Sequence, residues 1–238
     1  MTKPRKPNRI GSSPLRIESR KIQVNPDTEV TGQWAIPETY RPGHDSGVIL
    51  AHGAGNDMHH PFLSQIHLSL AEAGLLSVKF NFPYTEQGRK APDRAALLEL
   101  TWRMIIQTVR SDTELAPQRL YIGGKSMGGG MASRVVAQGE AADGLVFLGY
   151  PLHPAGQPAK LRVEHWPNIR CPVLFIQGTR DALCQIDALK SELAHLTSPI
   201  TLHEIPGGDH SFKLPKSAGK TEENVRREIV AKIVDWIA

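Results

Sequence analysis

A serine between two glycines is the first feature of the sequence that could do chemistry. The motif GKSMG at residues 124–128 follows an apolar run that ends at Ile122, and a helical pattern comes directly after it. In a G-x-S-x-G turn between a strand and a helix, the backbone is strained and passes so close to its neighbours that side chains at the glycine positions would collide with them. The motif therefore predicts Ser126 as a nucleophile projecting from the start of a helix.

Two residues near the C-terminal end of the chain could activate that serine. A serine hydroxyl is a weak nucleophile at neutral pH, so it needs a general base that a carboxylate orients. His210 and Asp181 each follow a short apolar run, and the carboxyl ends of parallel strands meet at one edge of a sheet. We therefore expect Ser126, His210 and Asp181 to lie together. Asp209 is a weaker candidate for the acid, because adjacent residues do not easily form an orienting contact.

Backbone N–H groups that could stabilise an oxyanion are predicted at two turns. The N–H of Met127 stands at the start of the helix after Ser126, where backbone donors are free. A second turn, with the sequence HGAGN at residues 52–56, follows the apolar run 47–51, and its small residues let N–H groups point inward. The N–H of Ala54 is the preferred donor there.

Residues 150–170 form the longest stretch without a helical pattern, and they include four prolines. A loop of this length within a compact domain usually has a function. Tyr150 and His153 are predicted to line an acyl pocket from it, with a packing role equally open for each. Only about 20 residues separate the flanking strands, which leaves no room for a cap domain. Lys125 is predicted to face solvent beside the turn.

Other chemistries fit the sequence less well. The Gly-Lys-Ser segment is not a phosphate-binding P-loop, because Arg119 occupies the position where that motif needs glycine. Residues 123–130 do not make a dinucleotide fingerprint either, because they do not fit G-x-G-x-x-G followed by an acidic residue at a strand end about 20 positions on. Four histidines lack the spacing of a zinc helix and are expected to be packed or solvated: His52, His59, His60 and His67. Neither a metal nor a cofactor is predicted.

Strand and helix patterns take turns along most of the chain. Strands are predicted at residues 47–51, 76–80, 119–122, 145–149, 173–177 and 201–205. Helical stripes lie between them, with apolar residues three or four positions apart: Leu98, Trp102, Ile105 and Val109; Ile186, Leu189, Leu193 and Leu196; and Val225, Ile229 and Ile233. This alternation predicts an α/β fold with a mostly parallel sheet and helices on both faces. Segments around 21–24 and 29–35 could add an antiparallel hairpin, for about eight strands in all.

The basic charge is concentrated at one end of the 238-residue chain. Residues 1–21 carry seven Lys or Arg and one Glu, a net charge of +6 against a total of +4, so the remaining 217 residues carry −2. This distribution predicts a flexible basic tail at 1–20 and a single domain at 21–238, with no nucleic-acid partner required. No apolar run is long enough to span a membrane. The two cysteines and the absence of a signal-like segment favour a cytoplasmic protein.

The motifs together resemble those of the α/β-hydrolase superfamily. The similarity is to its small lidless branch of dienelactone-hydrolase-like, testis-expressed and NSL-complex-subunit-like proteins, and it spans residues 47–212. It rests on the motifs HGAGNDMHHPF (52–62), FNFPYTEQGRKAPD (80–93), GGKSMGG (123–129), GYPLHP (149–154), QGTRD (177–181) and GGDHSF (207–212). The chain order Ser, Asp, His is also that of α/β-hydrolases. The resemblance implies that Ser126 is the nucleophile, His210 the base and Asp181 the acid. Dienelactone hydrolases have cysteine where this chain has Ser126, so their lactone substrate is not implied.

The sequence thus predicts a serine hydrolase that cleaves a carboxylic ester or thioester of a small acyl substrate through an acyl-enzyme. An open, shallow pocket favours short or flexible acyl groups. The alternative is an interaction scaffold that keeps the hydrolase fold without turnover, since fold alone does not imply function. The oligomeric state does not follow from the sequence.

Overall fold

Eight strands form one sheet in the computed structural model, which describes residues 14–238. The strands are β1 (Leu15–Asn25), β2 (Thr28–Pro37), β3 (Ser46–Ala51), β4 (Leu76–Phe80), β5 (Arg119–Lys125), β6 (Gly144–Leu148), β7 (Val173–Gly178) and β8 (Ile200–Ile205). Their order across the sheet is β1-β2-β4-β3-β5-β6-β7-β8. β1 pairs antiparallel with β2, and β2 with β4, while all other pairs are parallel. The predicted mostly parallel sheet and its edge hairpin are confirmed.

Six helices cover the two faces of the sheet: α1 (Pro61–Glu72), α2 (Pro83–Glu86), α3 (Ala95–Arg110), α4 (Met127–Ala137), α5 (Ile186–Glu192) and α6 (Glu222–Ile237). One hydrophobic core lies between the sheet and α1 and α6, and a second lies under α3, α4 and α5. The predicted apolar stripes of α3 and α6 are buried in these cores, which confirms the placement of helices on both faces. No helix within residues 14–238 combines the length and apolar character needed to cross a bilayer.

The helical stripe predicted from Ile186 to Leu196 ends early. α5 stops at Glu192, and a 3₁₀ turn (Leu193–His195) follows it. Pro199 disfavours helical backbone at the residue before it, and the chain must be extended where β8 begins. The last two apolar residues of the stripe, Leu193 and Leu196, therefore lie in and directly after a 3₁₀ turn rather than in a helix.

The predicted boundary of the basic tail is wrong by six residues. Residues 15–20 belong to β1, the edge strand of the sheet, and residues 1–13 lie outside the described part of the chain. Arg16 and Arg20 both pair with Glu18, and Arg20 also contacts Asp112 at 2.5 Å. Charged side chains are common on edge strands because they discourage pairing with other chains. Three of the seven basic residues that suggested a solvated tail, Arg16, Arg20 and Lys21, thus belong to a strand.

The connection between β6 and β7 contains no cap domain. Its 24 residues hold a single 3₁₀ turn (Trp166–Asn168) and otherwise lie as a loop. Trp166 is fully buried and packs edge-on against Tyr150 and Phe175, with ring centroids 5.3 and 5.5 Å apart. This aromatic contact fixes the loop to the sheet.

Candidate active site

The turn at Ser126 has the backbone strain that its motif predicts. Ser126 lies between β5 and α4 with φ 51° and ψ −117°, a conformation that L-residues rarely adopt. A Cβ added to Gly124 would lie 2.2 Å from the carbonyl oxygen of Ala51, and one added to Gly128 would lie 2.5 Å from the same atom. Both glycines are therefore required because the turn packs directly onto the end of β3.

The structure brings Ser126, His210 and Asp181 into hydrogen-bonding contact. Ser126 Oγ lies 2.8 Å from His210 Nε2, and His210 Nδ1 lies 2.7 Å from Asp181 Oδ2. An ionised carboxylate only accepts hydrogen bonds, so Nδ1 carries the proton and Nε2 is free to accept from the serine hydroxyl. This is the geometry in which an imidazole can take a proton from a nucleophile.

Asp181 is held in place by two further donors. Its Oδ1 accepts the backbone N–H of Leu183 at 2.7 Å, and its Oδ2 also accepts from Gln177 Nε2 at 2.7 Å. Gln177 is fully buried, and its Oε1 accepts the N–H of Tyr150 at 2.9 Å, which fixes the direction of the amide. Sequence reasoning missed Gln177, although a glutamine at the end of an otherwise apolar strand was a usable signal.

Asp209, the alternative acid, accepts hydrogen bonds from the backbone of its own loop. Its Oδ1 accepts the backbone N–H groups of Ser211 and Lys213 at 2.7 and 2.9 Å. The imidazole Nδ1 of His210 is hydrogen-bonded to Asp181 Oδ2 instead. The contacts therefore favour Asp181 as the partner of His210.

The turn after β3 is held by a buried histidine. The Nδ1 of His52 donates to the carbonyl oxygen of Gly53 at 2.9 Å, and its Nε2 accepts the N–H of Phe82 at 3.1 Å. Burial lowers the pKa of His52 to about 4, so the ring is neutral and can donate from Nδ1 while it accepts at Nε2. Among residues 14–238 the N–H groups of Ala54 and Met127 make no hydrogen bond, and both residues lie at a cavity that Ser126 also lines.

Two cavities meet at Ser126, and both are lined by Ala54 and Leu183 as well. The smaller, of about 460 Å³, extends past His210 and has these further side chains in its wall: His60, Phe62, Phe212, Lys213, Glu222 and Arg226. The larger, of about 640 Å³, extends over the start of α4. Its wall has apolar side chains, Leu98, Met127, Met131, Pro151 and Leu161, and charged ones, Asp93, Arg134, Lys160, Arg162 and Glu164. A substrate bound at Ser126 thus has separate space on its two sides.

The two residues predicted to line an acyl pocket differ in position. Tyr150 lines the larger cavity with its ring, while its hydroxyl donates to the carbonyl oxygen of Arg162 at 2.8 Å and accepts from Trp166 Nε1 at 3.1 Å. His153 is buried, its Nδ1 lies 3.0 Å from the carbonyl oxygen of Pro154, and it lines neither cavity. The loop turns its ring into the protein, so the structure does not support His153 as a pocket residue.

The prediction that Lys125 faces solvent is wrong. Its Nζ is buried and has no hydrogen-bond partner among the residues that the structure describes. The ammonium lies 5.6 Å from the centroid of the Phe212 ring, because the loop carrying His210 folds over it. Burial lowers the pKa of Lys125 to about 8, although Asp181 and Asp209 attract the charge.

Of the two cysteines, Cys184 is buried and Cys171 is half-buried. Burial raises the pKa of the Cys184 thiol to about 12, which keeps it protonated. A protonated thiol is a poor nucleophile, so Ser126 remains the candidate nucleophile of this site.

Comparisons with known proteins agree with this fold. Residues 44–238 match the profile of a family described as an alpha/beta hydrolase domain. The protein YfhR of Escherichia coli O157:H7 is 30% identical over 134 residues, which cover 55% of this chain and 45% of that relative; the matched region thus spans less than half the length of the curated relative.

Several solved structures share the architecture. Dienelactone hydrolase from Anabaena variabilis ATCC 29413 superposes with a TM-score of 0.72 at 20% identity, over 93% of this chain and 96% of the other. XC6422 from Xanthomonas campestris, described as a serine hydrolase without a lid, gives 0.68 at 20% identity over 94% and 96%. A cold-adapted esterase from an Arctic intertidal metagenomic library gives 0.68 at 19% identity over 94% and 93%. These likenesses establish the fold.

Proposed function

The chain belongs to the alpha/beta hydrolase family, and on that premise we propose that it is a serine hydrolase that cleaves a carboxylic ester or thioester through an acyl-enzyme. The contact that carries this proposal is the continuous chain of hydrogen bonds from Ser126 Oγ through His210 to Asp181, at 2.8 and 2.7 Å. The unbonded N–H groups of Ala54 and Met127 beside the same hydroxyl support it.

In the first half of the proposed reaction, Ser126 Oγ attacks the carbonyl carbon of the substrate while His210 Nε2 takes the hydroxyl proton. Asp181 stabilises the imidazolium that forms. The carbonyl oxygen becomes an oxyanion and accepts hydrogen bonds from Ala54 N–H and Met127 N–H. The tetrahedral intermediate then collapses, and the leaving alcohol or thiol departs with the proton from Nε2.

In the second half, a water molecule attacks the acyl-enzyme while His210 Nε2 takes one of its protons. The same oxyanion donors stabilise the second tetrahedral intermediate. Its collapse releases the carboxylic acid and returns the proton to Ser126 Oγ. Atoms and charges balance with water as the only co-substrate.

The two cavities suggest where the acyl group and the leaving group of the substrate bind. The leaving group receives its proton from His210 Nε2, so it must lie on the His210 side, in the cavity of about 460 Å³. The acyl group then occupies the cavity of about 640 Å³, whose wall includes Met131 and Leu161. This volume suits a short or flexible acyl chain.

A fluorophosphonate probe tests the proposal directly, because it phosphonylates only an activated serine. We expect the wild-type protein to be labelled and Ser126→Ala to be unlabelled. A panel of p-nitrophenyl esters and acyl thioesters of graded chain length then identifies the preferred acyl group. A folded wild-type protein that takes up no label would instead support the non-catalytic scaffold.

A further inference from the structure

Lys125 is a half-buried residue with a buried ammonium group that the mechanism above does not use. It directly precedes Ser126 at the end of β5, and its Nζ has no hydrogen-bond partner among residues 14–238. Burying an ammonium without a partner is unfavourable, because the charge loses its hydration. A buried lysine at such a position needs a compensating interaction or a role.

The position of Nζ is close to the side of His210 that faces Asp181. A Cβ built on Gly149 would lie 3.0 Å from Lys125 Nζ, 3.3 Å from the carbonyl oxygen of His210 and 3.6 Å from its Nδ1. Gly149 has φ +71° and carries no side chain, so this space is left to the ammonium. The ammonium therefore lies on the Nδ1 side of His210, and the Lys125 side chain also lines the smaller cavity.

Phe212 covers the ammonium from the other side. Its ring lies 5.6 Å from Nζ and stacks on Phe62 with centroids 5.5 Å apart. Within the described residues, Ser126 and Phe212 are the two non-glycine positions with positive φ. Aromatic faces stabilise cations, and a strained backbone persists only where its surroundings hold it. Both residues with positive φ are thus neighbours of Lys125: Ser126 follows it in the chain, and the ring of Phe212 faces its ammonium.

The charges around His210 explain what the ammonium can do. Asp181 is hydrogen-bonded to the imidazole, Asp209 directly precedes His210 in the chain, and the carboxylates of both attract the Lys125 charge. His210 also lines the smaller cavity, whose other charged or titratable groups are His52, His60, Lys125, Lys213, Glu222 and Arg226. Two nearby carboxylates favour the imidazolium, which cannot accept a proton from Ser126.

We propose that Lys125 is a positioning residue for His210, whose buried ammonium offsets the charge of the Asp209 carboxylate and so keeps the imidazole able to act as a base. The inference rests on the proposed serine-hydrolase function. At neutral pH the ammonium is charged, since burial lowers its pKa only to about 8.

The test is the variant Lys125→Met, which keeps the length of the side chain and removes its charge. We expect the pKa of His210 to rise by about one unit or more. The acid limb of the fluorophosphonate-labelling rate then moves to higher pH by the same amount, with little loss on the alkaline plateau. Lys216→Met is the matched control, because Lys216 is exposed on the connection between β8 and α6; its profile should equal that of the wild type.

A titration of the His210 ring by nuclear magnetic resonance, assigned with His210→Gln, separates this inference from the proposed function because it needs no turnover. An unlabelled wild-type protein overturns the proposed function. A His210 pKa that stays the same or falls in Lys125→Met, even with a lower melting temperature, overturns the inference.

A second variant keeps the test valid if Lys125→Met does not fold. Asp209→Asn retains the oxygen that accepts the N–H groups of Ser211 and Lys213 and removes the second carboxylate. It should lower the pKa of His210, and the double variant with Lys125→Met should return it toward the wild-type value. An unchanged titration in Asp209→Asn contradicts the proposed charge balance.

Discussion

Replacing Asp181 by Asn is the most informative perturbation of the proposed mechanism. Asp181 accepts three hydrogen bonds, from the Leu183 N–H, Gln177 Nε2 and His210 Nδ1. An asparagine has one accepting oxygen and one donating amide group, so it cannot accept at both positions. If its oxygen keeps the Leu183 bond, its NH₂ group faces His210.

That amide group would reverse the tautomer of the imidazole. Nδ1 would accept from the asparagine, and the ring proton would move to Nε2, which then cannot accept the proton of Ser126. Gln177 cannot turn to relieve the conflict, because its oxygen is committed to the N–H of Tyr150. We expect kcat to fall about 10⁴-fold, or about 5 kcal/mol of transition-state stabilisation. The free energy of unfolding should fall by about 1 to 3 kcal/mol.

The assay is steady-state hydrolysis of the best p-nitrophenyl ester, with urea unfolding of the same samples. Asp187→Asn is the matched control, because Asp187 is exposed at the start of α5 and makes no ion pair within residues 14–238. A folded Asp181→Asn protein that retains kcat within tenfold of the wild type would refute the assignment of Asp181.

Three further predictions follow from the contacts. Gly124→Ala should lower the free energy of unfolding by about 3 kcal/mol or more, since its Cβ would meet the Ala51 carbonyl oxygen, whereas Gly130→Ala, with its nearest atom at 3.8 Å, should be close to neutral; equal urea midpoints would contradict this. Because burial lowers the pKa of His52 from 6.5 to about 4, protons bind the unfolded chain preferentially, and His52 should contribute a decrease of up to about 3 kcal/mol in the free energy of unfolding as pH falls from about 6.5 to 4. His67 and His165, whose pKa values burial also lowers, add to the total decrease, which should shrink by the His52 contribution in His52→Gln. Met131→Trp should fill part of the larger cavity and shorten the preferred acyl chain in the ester panel, while an unchanged preference would place the acyl group elsewhere.

The sequence predicted the parts of the site that depend on local motifs and on strand ends. The strained turn at Ser126 is encoded by its flanking glycines, and the meeting of Ser126 with Asp181 and His210 follows from the parallel sheet. These predictions needed only the order of strands and helices along the chain.

The environment of Lys125 was missed because it is made by a distant segment. Residues 207–212 fold over it, and Phe212 reaches it through a backbone conformation that no local sequence pattern indicates. His153 was misplaced for a similar reason, since only the loop path decides whether its ring points inward or outward. Side-chain direction in irregular segments depends on tertiary packing, which periodicity does not record.

The short β6–β7 connection also determines how substrates reach Ser126. With no lid over the opening within residues 14–238, binding needs no hinge motion, and the rate should not depend on a gate that opens and closes. On the proposed function, the end of the leaving group remote from Ser126 is not enclosed by a lid. We therefore expect an ester of a large alcohol to be cleaved as readily as the ester of a small alcohol with the same acyl group.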